Sequence, residues 1–362
     1  MPEATVAVRS GADIAVDAPA MFMTAPGRLV TGTVPVPGPA PGEALVRVGV
    51  VGLCATDLAM YSGRYGAPSV YPVCFGHEWA GVVEEVGAGT ARIRVGDLVT
   101  GECSLWCGDC DGCRRDPNLC RNIRKFGITT EGAARAHVCV AERHLHRADP
   151  SLTPALVALA EPLAVCLHGI GRAVGRPQDA RLETASVLVM GAGTLGLGCL
   201  LALRHGWGCP DVDVADTVEA RLERARALGG HPRAPSDEGA ADGDYADLYA
   251  SGGYELVCET TGSAAALAQA LELVAPGGTI LSLGFVERLT FSPRLLTLRA
   301  ARLVGSIGGS GDFEAALALI RDHALDFGEL VTHRFGLWEA DRGFAAAADR
   351  DAALKVQLDV SP

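Results

Sequence analysis

The chain has 362 residues, 49% hydrophobic and 20% charged, with a formal net charge of −12. That length predicts more than one folding unit, and the acidic balance argues against a nucleic-acid partner, since phosphate binding needs a cationic face. No uninterrupted apolar stretch long enough to span a bilayer is seen, and Met1-Pro2-Glu3-Ala4-Thr5 lacks the pattern of a secretory signal.

A cytoplasmic protein with no membrane partner is therefore expected, whose twelve cysteines read as thiols and metal ligands rather than disulfides. Residues 1 to 19 read as an extension. A Pro-rich turn over 34–42 precedes a strand over 44–48. Up to residue 150 the text is strand-like and broken by Gly and Pro, which predicts a β-rich domain. The pattern changes near residue 172. A short buried-type strand over 186–190 runs into a Gly-rich turn and an apolar helix ending near residue 204. A second strand over 212–215 ends at Asp216, and further strands are expected over 255–258, 279–283 and 303–306. Alternating strands and helices predict a parallel doubly wound sheet. Residues 229–253 are ambiguous. The last segment predicts a helix over 313–322 and a terminal strand over 355–358.

Three short signatures lie on or just after the breaks of the β-rich part. Cys54 sits in Gly52-Leu53-Cys54-Ala55-Thr56-Asp57, His77 in Gly76-His77-Glu78-Trp79, and Glu161 in Glu161-Pro162-Leu163. Thiolate, imidazole and carboxylate are the side chains that bind zinc well, and three protein ligands with an open fourth position mark a catalytic rather than a structural ion. Beside a nicotinamide, an open position means Lewis-acid help for hydride transfer. Cys107, Cys110, Cys113 and Cys120 give Cys-x2-Cys-x2-Cys-x6-Cys. Four thiolates on one loop can close a tetrahedron with no vacancy, which is a structural zinc site. A redox Cys-x2-Cys or a disulfide staple is the weaker reading of so dense a cluster.

The turn Gly191-Ala192-Gly193-Thr194-Leu195-Gly196 has a strand before it, a helix after it and an acid, Asp216, twenty residues on. Gly191 makes the turn, Gly193 admits a pyrophosphate, and Gly196 lets helix and strand pack. The helix start at Thr194 and Leu195 offers N–H groups to that phosphate. Asp216 can accept hydrogen bonds from ribose hydroxyls and would repel a 2′-phosphate, so NAD is preferred over NADP. Arg221 could pair on its helix, stack near the adenine, or partly rescue NADP.

Together these residues resemble the zinc-dependent medium-chain alcohol dehydrogenase family. Glu161-Pro162-Leu163 and the Thr56-Asp57 pair look most like its polyol, sugar and threonine dehydrogenase branch. The resemblance implies an α/β protein in which a doubly wound (Rossmann) dinucleotide-binding domain, 173–305, is inserted into a GroES-like β-rich catalytic domain, 1–172 and 306–362. It implies a homodimer or homotetramer with an active site between the domains. It also implies Cys54, His77 and Glu161 as zinc ligands, Glu78 as a carboxylate that swaps onto the metal, and Asp57 as the group orienting the His77 imidazole. Thr56 would receive the proton of the reacting hydroxyl. Ala59 stands where relatives often carry a relay His. The last cysteine spacing is one residue shorter than usual, and Cys103 is an additional thiol near that cluster. His168 reads as a packing or supporting residue. The expected reaction is reversible oxidation of a secondary alcohol of a polyol, sugar or (amino)cyclitol by NAD, with a threonine-type substrate as the alternative. A zinc-free reductase and a non-catalytic nucleotide-sensing zinc protein are the readings from other classes.

Overall fold

The computed structural model describes residues 17–36, 38–180, 182–233, 249 and 252–360. Residues 1–16 of the expected extension and most of the ambiguous 229–253 stretch lie outside them; Asp17, Ala18 and Pro19, read as the end of that extension, instead open strand Asp17–Ala25. The expected strand over 44–48 is the middle of a longer one, Glu43–Leu53, whose valines are buried on both faces. It is the central strand of a seven-stranded sheet, flanked on one side by Glu78–Val86 and on the other by His137–Ala141 along its first half and Lys355–Asp359 along its second. Val331–Gly336 pairs in parallel with Lys355–Asp359 at the sheet's end. The last residues of the chain thus share a sheet with the first hundred, and Leu358 lies opposite Val51.

The second sheet is parallel and six-stranded. Its spatial order is His231–Arg233, Val212–Ala215, Val187–Met190, Tyr254–Glu259, Val274–Ser282, Arg302–Gly305. In chain order that is 3-2-1-4-5-6, the doubly wound arrangement, and ligands of such sheets sit where the order reverses. Val187–Met190 is buried throughout, as a central parallel strand between two helical layers must be. His231–Arg233 supplies the edge strand within the ambiguous stretch.

Helix Ala160–Val174 joins the two halves. Its Leu163, Leu167 and Ile170 belong to one apolar core with Leu197, Leu200 and Leu201 of helix Thr194–His205 and with Phe313 and Ile320 of helix Phe313–Asp322. Residues 154–174 are long and apolar enough to cross a bilayer, alone in this among the described residues. Their apolarity is accounted for by burial inside this core. The same packing fixes the helix start, and with it Glu161, against the β-rich sheet.

Candidate active site

Three chain segments converge at the end of strand Glu43–Leu53. Cys54 follows that strand and caps helix Ala55–Tyr61. His77 immediately precedes the neighbouring strand, which Glu78 opens. Gly76, at φ +87°, sets their approach: a Cβ there would lie 2.3 Å from Val51 Cγ1, so only glycine fits. Gly52 lies opposite Glu78, and a Cβ on it would come within 2.6 Å of Glu78 Oε2. The missing side chain is the room the carboxylate occupies.

The ligating atoms of Cys54, His77 and Glu78 all lie within 4.8 Å of one another, and so do those of His77, Cys103 and Glu161. His77 is common to both groups. Its Nδ1 is buried without a hydrogen-bond partner, an arrangement costly for a polar atom unless something absent from the protein chain fills it. A soft thiolate, an imidazole and carboxylates within reach of one another fit zinc in donor type and number. Burial pushes the Glu161 carboxyl up to about 7, against the pull of His77.

Two corrections to the sequence reading arise here. Asp57 does not hydrogen-bond the His77 imidazole; its Oδ2 accepts the Cys54 backbone N–H at 2.9 Å, and its Oδ1 is buried without a partner. The helix start has an unpaired N–H to satisfy, and an Asp three residues on is placed to satisfy it. Cys103, grouped by sequence with the four-cysteine loop, instead faces His77 and Glu161. It follows strand Leu98–Gly101 into the centre rather than leaving with the loop.

Lys355 escaped the sequence reading altogether. It starts the terminal strand, is buried, and donates from Nζ to Glu78 Oε2 at 2.5 Å and to Leu53 O at 3.0 Å. Burial alone would lower its pKa, but Glu78 and then Cys54 outweigh this and raise it. Lys355 therefore stays cationic and holds one oxygen of Glu78. Its only sequence signal is a lysine opening the terminal strand, 277 residues from its partner.

The four-cysteine loop is already shaped for a metal. Sγ···Sγ separations are 3.5 Å for Cys110–Cys113 and Cys107–Cys120, 3.8 Å for Cys107–Cys113 and 4.0 Å for Cys110–Cys120. A tetrahedron with Zn–S bonds of about 2.3 Å has edges of about 3.8 Å, so the four thiols fit zinc without rearrangement. Backbone N–H groups of Cys107 and Asn122 point at Cys120 Sγ, and that of Arg121 at Cys110 Sγ. Such donors favour thiolates; those of Arg121 and Cys113 pull the Cys110 thiol down to about 6. His168 bridges this loop to the segment before helix Phe313–Asp322, with Nδ1 3.0 Å from Asp312 Oδ2 and Nε2 3.3 Å from Asp116 Oδ2. That is the supporting role expected of it.

At the dinucleotide turn, Gly191 has φ +97°, and a Cβ on Gly196 would lie 1.7 Å from Gly191 O. Close packing of turn and helix thus depends on Gly196. Overpacking costs about 1–3 kcal/mol. Gly196→Ala is expected to weaken NAD binding roughly 10- to 100-fold in a fluorescence titration, whereas Gly328→Ala, whose Cβ meets nothing within 4 Å, leaves it unchanged. Gly193 caps helix Thr194–His205, so Thr194 and Leu195 open it. Asp216 Oδ2 accepts the Ala192 N–H at 2.7 Å and Oδ1 the Val218 N–H at 2.9 Å. The acid clamps the glycine turn as well as facing it. Arg221 Nη1 is 4.0 Å from Asp216 Oδ2, while its other nitrogens donate to the Arg350 and Ala353 carbonyls. It ties the nucleotide half to the C-terminal segment. At the adjacent strand end, buried Glu259 accepts from the N–H groups of Thr261 and Gly262 and has Oε2 without a partner.

A β-rich half bearing two thiol-rich centres, joined to a doubly wound sheet with a dinucleotide turn, is the architecture of a zinc-type dehydrogenase. The family model described as alcohol dehydrogenase GroES-like domain matches residues 40–150, and that described as zinc-binding dehydrogenase matches residues 194–322. The chain belongs to the zinc-dependent medium-chain alcohol dehydrogenase family, in its polyol, sugar and threonine dehydrogenase branch. It is similar to D-altritol 5-dehydrogenase of Agrobacterium fabrum, with 34% identity over 92% of this chain and 96% of the relative. It is 32% identical to L-threonine 3-dehydrogenase of Saccharopolyspora erythraea over 86% of this chain and 90% of that one. A protein from Sinorhizobium meliloti 1021, described as a zinc-binding dehydrogenase and solved with NADP, superposes with a TM-score of 0.84 at 28% identity, covering 95% of this chain and all of that one.

Proposed function

We propose that this chain oxidises a secondary alcohol of a polyol, sugar or (amino)cyclitol to the ketone, with NAD as hydride acceptor. The observation that carries the reading is the convergence of Cys54, Glu78 and Glu161 on the His77 imidazole, in a chain that also holds a dinucleotide turn. Cys54, His77 and Glu161 would hold the catalytic zinc, and Cys107, Cys110, Cys113 and Cys120 a structural one. The bound ion supplies Lewis-acid stabilisation of an alkoxide at neutral pH. Thr56, on the first turn of helix Ala55–Tyr61, takes the proton of the reacting hydroxyl, and with Ala59 following it the proton leaves through water or a ribose hydroxyl. Asp57 holds the Cys54 backbone in place. Glu78, pinned by Lys355 through one oxygen, keeps the other for the metal side. The polyhydroxylated substrate class is supported by the 34% identical altritol dehydrogenase. The threonine reading is supported by the 32% identical relative.

NAD over NADP is supported by the Asp216 carboxylate at the end of the second strand and by Arg221 being drawn to main-chain carbonyls, which leaves it poorly placed to receive a 2′-phosphate. Asp216→Ala is expected to narrow the NAD-over-NADP ratio of kcat/KM by about 1–3 kcal/mol, roughly 10- to 100-fold. An unchanged ratio would remove Asp216 from the ribose role. A homodimer or homotetramer is supported by the open edge strand Arg302–Gly305, which with the next loop exposes Leu303 and Ile307. A reducing, cytoplasmic setting is supported by the free state of all twelve cysteines.

The test is NADH formation against a panel of alditols, aldoses, cyclitols, aminocyclitols and L-threonine. Turnover confined to L-threonine would replace the polyol reading, and no turnover with any alcohol would overturn both.

A further inference from the structure

Away from the two thiol-rich centres, one further group of metal-ligating side chains comes together among the described residues. Donor atoms of His205, His323 and Asp326 lie mutually within 4.8 Å. His205 Nε2 is 3.0 Å from Asp326 Oδ2, and the two imidazoles stack with ring centroids 3.6 Å apart. The group joins the two halves of the molecule. His205 ends helix Thr194–His205, which starts at the dinucleotide turn, and His323 lies between helices Phe313–Asp322 and Ala324–Gly328. The C-termini of two helices therefore meet here, and their last carbonyls favour a cation. The backbones are anchored, since Trp207, two residues after His205, and Phe327, next to Asp326, are fully buried in one core. The three side chains themselves are half-buried, which leaves a side open to water. Burial and then the neighbouring His323 push the His205 imidazole down, so it is a neutral donor at pH 7. The reaction at His77 uses none of the three.

We infer that His205, His323 and Asp326 form a third metal site, for a zinc-class divalent ion with water in its remaining positions. Two imidazoles and a carboxylate suit Zn²⁺, Ni²⁺ or Cu²⁺. In a tetrahedral site, nitrogen and oxygen donors about 2.0–2.2 Å from the ion are about 3.3–3.6 Å apart, so small movements meet the distances. Orientation asks for more. An imidazole donates in its ring plane, so the stacked rings must splay, with His323 turning about its Cβ–Cγ bond. Its ring has no hydrogen bond to break among the described residues. The proton between His205 Nε2 and Asp326 shifts through solvent to His205 Nδ1, so the neutral site releases none. The bound ion then staples the helix behind the dinucleotide turn to the C-terminal segment.

The test is equilibrium dialysis of the enzyme, loaded with two Zn²⁺ per chain, against Ni²⁺. Zinc is counted in the same samples, so that nickel which has displaced it is subtracted. Wild type is expected to bind one nickel per chain beyond its zinc. His205→Ala and His323→Phe are each expected to weaken that binding by more than the roughly 100-fold that loss of an outer partner of a metal ligand costs. Asp326→Asn, which keeps one oxygen donor, is expected to weaken it about 10-fold. His323→Phe keeps a ring on the stack and loses only the donor, and NAD binding reports each variant folded. No nickel beyond the zinc in wild type, or wild-type nickel binding in His323→Phe, overturns the site. His205 and His323 are then a stacked pair packing the two halves together. Neither result bears on the dehydrogenase reading, which NADH formation by the same samples decides separately.

Discussion

Replacing His77 with alanine is expected to abolish NADH formation while NAD affinity stays within a few-fold of wild type. His77 is the one residue common to both donor groups, so its loss removes the nitrogen around which the thiols and carboxylates converge. The fall in kcat should exceed the roughly 100-fold that loss of an outer partner of a metal ligand costs. NAD affinity is the control, because the dinucleotide turn is built from Gly191, Gly193, Gly196 and Asp216 on the other sheet and does not depend on the imidazole. Paired steady-state kinetics and NAD titration check it. Near-wild-type kcat in His77→Ala would place the chemistry elsewhere. An equal loss of NAD binding would mean that the variant has lost its fold.

Lys355→Met is expected to destabilise the protein by about 3–5 kcal/mol, the usual consequence of leaving one member of a buried ion pair uncompensated. Lys355 and Glu78 are both almost fully buried and 2.5 Å apart, and among the described residues no other basic side chain bonds that carboxylate. Glu78→Gln/Lys355→Met should recover much of the loss, since a neutral pair removes the stranded charge. Denaturant unfolding of the four proteins of this cycle measures it. A Lys355→Met cost of about 1 kcal/mol or less, as at an exposed pair, would show that the pair is not the clamp described.

These two experiments also separate what the sequence made legible from what it did not. The four-cysteine loop and the glycine turn were readable because their geometry is set by neighbours in the chain: Cys107 to Cys120 span one loop, and Gly191 to Gly196 one turn. Helix Phe313–Asp322 was readable because its apolar positions repeat at helical spacing. Lys355 was not, because its meaning comes from strand pairing between Lys355–Asp359 and Glu43–Leu53. Cys103 was misgrouped for a related reason. It stands four residues before Cys107, yet the chain passes the metal centre at Cys103 before turning out into the loop. Asp57 and Asp216 are read from the sequence as acids of the site. Their main-chain partners, Cys54 N for one and Ala192 N and Val218 N for the other, depend on backbone placement that residue spacing does not specify. His168 shows the opposite balance, since a buried histidine needs partners and finds them in Asp116 and Asp312.

The central claim is that an ion held at Cys54 and His77 is required for hydride transfer to a nicotinamide. The most direct measurement is NADH formation from a polyol accepted by the enzyme, before and after chelation and again after Zn²⁺ is returned, with NAD binding followed in parallel. Chelation is predicted to remove activity and not NAD binding, and Zn²⁺ to restore it. Full turnover by protein shown to contain no metal would contradict the account.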